Sequence, residues 1–255
     1  MTRKSSASST PQGSHLIFAV SALLSLITLQ AESVLKDNFD SDQPTEGVAS
    51  VGSGPSWNCV GNRNFLSVVL DAQGLNSGPA LSLSKGMVYT TFDTVSLKPG
   101  DSIEVSFRMR CTEEFTDKAF PFRFGLYDDV EGQPDKGMAK GYWVMSSLGD
   151  LGNAMVAREE GTDGNSGGGT DVPIVGVVFP NLKAGTAVNK ISLTITRGSD
   201  DSVDITTTFN DDSTTRTDTD MKLAEFNAFG IRLSSESTGQ LLFDDFNIEV
   251  KRQGK

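Results

Sequence analysis

The sequence predicts an all-β protein, a two-sheet antiparallel β-sandwich. Segments in which apolar and polar residues alternate recur along the chain, which is the period of a half-buried strand. Turn-forming residues stand between those segments. Helical periodicity is absent beyond the first 31 residues. The clearest strand is SIEVSFRMR, where Ile103, Val105, Phe107 and Met109 alternate with Glu104, Ser106, Arg108 and Arg110. The same rhythm runs through LSVVLDA (66–72), MVYTTFDTV (87–95), FRFGLY (122–127), KISLTITR (190–197), VDITTTF (203–209), FGIRLSS (229–235) and LLFDDFNIEV (241–250). Lys98-Pro-Gly-Asp101 and Arg197-Gly-Ser-Asp200 read as turns between them. Asp220 to Phe226 offers at most one short helical turn, and Asn210 to Asp220 reads as a hairpin end and solvated turn. Its spacing is not that of an EF-hand loop. Two polar, glycine-rich stretches, 128–140 and 159–171, read as long loops, with 161–169 disordered or mobile.

Residues 1–31 read as an export signal. Arg3 and Lys4 supply the positive start, and the apolar run Leu16 to Leu29 is shorter than the roughly 20 residues a membrane-spanning helix needs. Cleavage is expected after Ala31, leaving one domain over 32–252 and a short tail over 253–255, with no membrane span. An uncleaved anchor is the rival reading. Secreted, periplasmic or cell-surface residence follows from the first, and the absence of any Asn-x-Ser/Thr site leans towards a bacterial source.

The 255-residue chain has 22 basic and 33 acidic residues, a net charge of −11. Removal of Arg3 and Lys4 leaves 20 − 33 = −13. Such a chain repels nucleic acid and anionic lipid. The single histidine, His15, lies within the leader, so the mature chain has none. That excludes a histidine base, a Ser–His or Cys–His nucleophile pair and histidine-ligated zinc or copper. Cys59 and Cys111 are the two cysteines, able to form one disulfide in an oxidising compartment or to remain as separate buried thiols.

The start DNFDSD, the middle segments FRFGLYDD and GYWVM, and the end LLFDDFNIEV resemble bacterial secreted domains of the concanavalin A-like lectin/glucanase superfamily. The resemblance spans most of residues 35–252. It implies a jelly roll with first and last strands side by side, in a superfamily of carbohydrate-binding modules, laminin-G-like interaction modules, hydrolases and lyases. The clustered E-x-D-x-x-E strand motif of the related β-glucanases is missing. Glu159 and Glu160 are adjacent, so on a strand they point to opposite faces and cannot form a facing acid pair. No catalytic residue is assigned.

Binding is the favoured reading, with a polysaccharide-degrading enzyme and a structural envelope protein as alternatives. Arg108, Arg123 and Arg232 stand out of phase with the core rows of their strands, and Tyr127, Tyr142 and Trp143 lie close by in sequence. If these strands share a sheet, one face carries arginines among aromatics, which suits an acidic polysaccharide or cell-surface glycan. Alternation also places Asp244 on one face with Leu242, Phe246, Ile248 and Val250. A carboxylate buried there needs a hydrogen bond, an ion pair or a cation. The resemblance implies structural calcium joining the chain start to the last strand, through Asp37, Asp40, Asp42, Asp244 and Asp245.

Overall fold

The computed structural model describes residues 29–40, 42, 45–46, 50–51, 55–60, 65–71, 75, 78–112, 120–129, 139–148, 153–160, 172–174, 177–178, 187–220, 223–233 and 240–254. Residues 1–28 of the leader, most of the first long loop and residues 161–171 of the second lie outside the described residues. In chain order the strands begin with β1 (Leu29–Asp37), β2 (Thr45–Glu46), β3 (Ser50–Val51), β4 (Trp57–Val60), β5 (Leu66–Leu70) and β6 (Pro79–Leu83). The next are β7 (Gly86–Ser96), β8 (Ser102–Cys111), β9 (Phe120–Asp128), β10 (Lys140–Leu148), β11 (Asn153–Glu159) and β12 (Val172–Pro173). The last are β13 (Val177–Val178), β14 (Asn189–Arg197), β15 (Val203–Phe209), β16 (Asp212–Asp218), β17 (Glu225–Leu233) and β18 (Leu241–Gln253).

They form two antiparallel sheets. Sheet I has the order β16-β15-β14-β8-β18-β6-β5-β2, with β1 also on β18. Sheet II has the order β12-β11-β10-β9-β17-β7-β4-β3, with β13 also on β11. First and last strands therefore pair, Leu29 opposite Gln253 and Asp37 opposite Phe246. The inner faces meet in one core, to which β8 gives Ile103, Val105, Phe107 and Met109, the row read from the sequence. Phe107, Phe229, Phe246 and Trp57 form its aromatic centre, with Trp57 and Phe246 at 4.4 Å between ring centroids.

The turns use the expected chemistry. Gly100 takes φ 87°, where a side chain would be strained. Asp101 binds its own turn and the chain end, accepting from Lys98 N–H at 3.1 Å, Arg252 Nη1 at 2.9 Å and Gln253 N–H at 3.0 Å. Between Asn210 and Asp220 the expectation fails. Only Asn210 and Asp211 form the hairpin turn, and Asp212 to Asp218 is strand β16, fully paired with β15. Thr206–Thr215 and Thr208–Ser213 hydroxyl pairs at 2.8 and 2.7 Å stabilise this polar edge across the strands. No helix occurs among the described residues of 220–226.

The phase of β18 is the second correction. Asp244 is opposite Arg108 and Asn247 is opposite Ser106, so Asp245 and Phe246 together face a single residue of β8. This is a β-bulge, and Asp245 takes φ 54°, a conformation short polar side chains tolerate. The extra residue resets the alternation. Leu241 and Phe243 enter the core before it, and Phe246, Ile248 and Val250 after it. Asp244 thus shares its face with Leu242, outside the sandwich core, not with Phe246. It is nevertheless only 1 % exposed.

The disulfide is the third correction. Cys59 lies on β4 of sheet II, opposite Val88, and Cys111 ends β8 of sheet I, opposite Leu241. Both are thiols. A bridge needs the two Cα atoms within about 7 Å and their Cβ atoms aimed at each other, and these two cysteines stand on different sheets and are not joined. Burial pushes the Cys59 thiol up and that of Cys111 to about 12, so neither forms the reactive thiolate near neutrality.

Candidate functional site

The outer face of sheet II gathers four of the six residues singled out for ligand binding. Three registered rows cross it. In the first, Met155, Met145, Arg123, Arg232, Met87 and Val60 stand opposite one another in succession from β11 to β4. The second runs Ala157, Trp143, Gly125, Gly230, Tyr89 and Asn58. The third runs Glu159, Gly141, Tyr127, Ala228 and Thr91.

The rows explain the geometry. Gly125 and Gly230 face each other at the centre, so no side chain rises between Trp143 and Tyr89, and neighbouring side chains cover the backbone there. A Cβ on Gly125 would meet Tyr142 O at 2.5 Å and Trp143 Cβ at 2.8 Å. The Tyr127 ring lies across the sheet, with Cδ1 2.7 Å from a Cβ on Gly141 and Cε2 3.4 Å from one on Gly230. Glycine at these positions lets an aromatic ring lie against the strands. Tyr127, Trp143, Ala139, Ala157 and Ala228 form a small apolar cluster of their own, with Met145 and Met155 against it. Trp143 is buried, and the Arg123 guanidinium stacks over it at 4.5 Å from the ring centroid. Half-buried Arg232 is opposite Arg123 across the β9–β17 pair. The face therefore has an aromatic floor and an arginine pair at one end, with Glu159 at the other.

The remaining two residues are elsewhere. Tyr142 points into the core between the sheets, where its hydroxyl donates to Asp218 Oδ2 at 3.1 Å. Burial, and then the Asp218 charge, push its phenol well above the usual range. Arg108 is on sheet I, its Nε 3.2 Å from Asp245 Oδ2 and its Nη1 donating to Leu75 O at 2.9 Å. Arg110 and Arg158 are structural. Arg110 pairs with buried Asp71, and Arg158 points inward to Asp218. The single arginine face expected from strand phase is thus divided between two sheets and the interior, because phase gives a residue's side of a strand and not the sheet that strand joins.

The five aspartates also separate. Asp37 accepts from Phe39 N–H at 3.0 Å and Trp57 Nε1 at 2.9 Å, fixing the core tryptophan. Those bonds hold Phe39 at φ 54°, with its ring buried against Trp57 and Phe246. Burial raises the Asp37 pKa, the two hydrogen bonds oppose it, and Asp42 adds to the rise. Asp245 is paired with Arg108, and Asp42 is buried. Asp40 and Asp244 interact, and the Asp244 Oδ2 has no hydrogen-bond partner. Among the described residues no three ligand-type side chains gather as a metal site. The pair offers two of the six to eight oxygens calcium takes.

No family model matches the sequence, and no curated protein matches it significantly. The backbone does find relatives. It superposes on the Emp47p carbohydrate recognition domain with a TM-score of 0.52, at 10% identity, over 88% of this chain and 95% of that one. The potassium-bound Emp46p carbohydrate recognition domain gives a TM-score of 0.50, at 11% identity, over 75% of this chain and 87% of that one. The fold is the concanavalin A-like jelly roll. At such identities the likeness concerns the backbone alone, and the sandwich here carries its own side chains on its outer faces. Tyr89 and Met87 are members of the sheet II face that the sequence reading did not single out. Their signal was present, since both alternate with buried Val88 and Thr90.

Proposed function

We propose that this chain is a secreted, non-catalytic glycan-binding module that takes an acidic polysaccharide on the outer face of sheet II. The observation that carries the reading is the registered pair Arg123–Arg232 on a floor of small residues and aromatics. Guanidinium forks bind carboxylate or sulfate through two parallel hydrogen bonds. The structural relatives named as carbohydrate recognition domains support sugar binding in general. The test is a glycan array with uronate-containing, sulfated and neutral polymers, run beside reducing-sugar and unsaturated-uronate assays. Acidic polymers should bind without product, and Arg123→Lys or Arg232→Gln should weaken them about tenfold, more at low salt. Product formation, or unchanged binding by both variants, overturns the reading.

A structural cation, calcium first, belongs to the same proposal, held by Asp40 and Asp244 with other oxygens completing it. The orphaned Asp244 Oδ2 supports it, and the relative crystallised with potassium shows that a domain of this fold can carry a cation. Melting should then shift upward with free calcium and fall with EGTA, by about 2.7 kcal/mol at a hundredfold excess over Kd. Equal midpoints in calcium and EGTA would remove the cation.

Export is proposed on the leader's charge and apolar length. Cleavage after Ala31 leaves Glu32, which pairs with Val250 on β18, as the first residue of the mature edge strand. Intact-mass measurement of the exported protein should begin at Glu32. Met1 retained in a membrane fraction contradicts it.

A further inference from the structure

The outer face of sheet I, on the opposite side of the sandwich from the arginine pair, holds a cavity of about 260 Å³ that the proposed function does not use. It lies where β8, β14 and β15 run side by side, next to the bulge of β18. Arg108 and Lys190 stand directly opposite each other there, two cations in register in a chain of net charge −11. Arg108 is held by Asp245 and Leu75 O. The exposed Lys190 ammonium has no partner among the described residues, although its backbone is tied at both ends to Asn210, by N–H to Oδ1 at 3.0 Å and by C=O to N–H at 2.7 Å.

One row further along, Ser106, Ser192 and Thr208 are in register across the three strands. The hydroxyls of Ser106 and Ser192 have no partner among the described residues, while Thr208 is bonded to Ser213 at 2.7 Å. The cavity thus has a cationic side and a hydroxyl side, with the Asp245 carboxylate at its edge. Its volume is below the roughly 300–1,000 Å³ typical of pockets for drug-sized ligands, which suits one sugar residue and not a chain.

We infer that this cavity is a second binding site, for a single sugar residue bearing a carboxylate or sulfate. The acid group lies against Lys190 and Arg108, and ring hydroxyls exchange hydrogen bonds with Ser106, Ser192 and Asn210. The site stands on its own residues and does not depend on the sheet II reading.

The experiment is an amide-resolved NMR titration of the full protein with methyl glucuronide acid, glucose 6-sulfate and neutral methyl glucoside. Saturable shifts at Ser106, Ser192 and Thr208 are expected with an acid sugar, the stronger arm identifying carboxylate or sulfate. Lys190→Glu, at an exposed position, should weaken binding at least tenfold, and Ser192→Val should weaken it less. A doubly substituted Arg123→Ala, Arg232→Ala protein should retain these shifts. No shift at those three amides with either acid overturns the inference, whatever happens around Arg123 and Arg232. Equal affinity for the neutral glucoside, or an unaffected Lys190→Glu variant, overturns it as well.

Discussion

Replacing Asp218 by alanine should destabilise the fold by about 3–5 kcal/mol, the usual cost of removing one partner from a buried ion pair. Asp218 ends β16 in sheet I and is 4 % exposed. It receives Arg158 Nη1 of sheet II at 2.8 and 3.0 Å, the Tyr142 hydroxyl at 3.1 Å and Asp220 N–H at 3.0 Å. Four hydrogen bonds, three from sheet II and one from the bend that follows β16, therefore end on one carboxylate of sheet I. Without it, Arg158 keeps among the described residues only the partly exposed Glu160, and the Tyr142 hydroxyl loses its acceptor. The penalty comes from the charge left behind more than from the bond lost. Asp218→Leu combined with Arg158→Met should accordingly recover part of the stability, since an apolar pair of similar volume leaves no buried charge, while the Tyr142 hydroxyl stays without its acceptor. Urea unfolding of the two single variants and the double variant measures this. A loss below 1 kcal/mol in Asp218→Ala would show that the two sheets are held together without the pair.

Asp244→Asn should stabilise the protein at pH 8 by up to ~4 kcal/mol when calcium is chelated, and should leave it almost unchanged at pH 4. Burial, followed by the charges of Asp245 and Asp40, raises the Asp244 pKa to about 7, against the help of the Asp245 N–H and Arg108. A raised carboxyl favours the folded state fully below the unfolded value of about 3.9, and that contribution is lost as pH rises through about 7. Each pH unit in that window costs the wild type about 1.4 kcal/mol from this group. Asparagine keeps the acceptor for Asp245 N–H, at 2.7 Å in the wild type, and has no proton to lose. The other shifted carboxyls are common to both proteins and cancel in the difference. Chemical unfolding in EGTA at pH 4, 6 and 8 gives the comparison. A stability difference that is flat with pH would show that Asp244 is solvated in a way its burial does not express.

The strands were legible because their chemistry is local. VDITTTF is β15 residue for residue, and SIEVSFRMR is β8 less its last residue. Alternation could be read there without knowing the partner strands. Asp212 to Asp218 was illegible for a related reason. As the edge of sheet I it buries little, so its sequence is polar throughout and carries no apolar period. Asp244 was misread because a bulge depends on the strand opposite. One residue more on β18 than on β8 moves every later side chain to the other face.

The amino-acid sequence by itself determined the all-β class, the turns at Gly100 and Gly198, the acidic balance and the residue types available for chemistry. Each follows from backbone preference, period or composition within a few neighbouring residues. Only the tertiary structure decided that Arg123 and Arg232 meet on sheet II, that Arg108 meets Lys190 on sheet I, that Tyr142 turns inward to Asp218, and that Cys59 and Cys111 stay apart. These are pairings between strands far apart in sequence. They are set by which strand order buries the most apolar surface in a single core, a sum over the whole chain that no single segment contains.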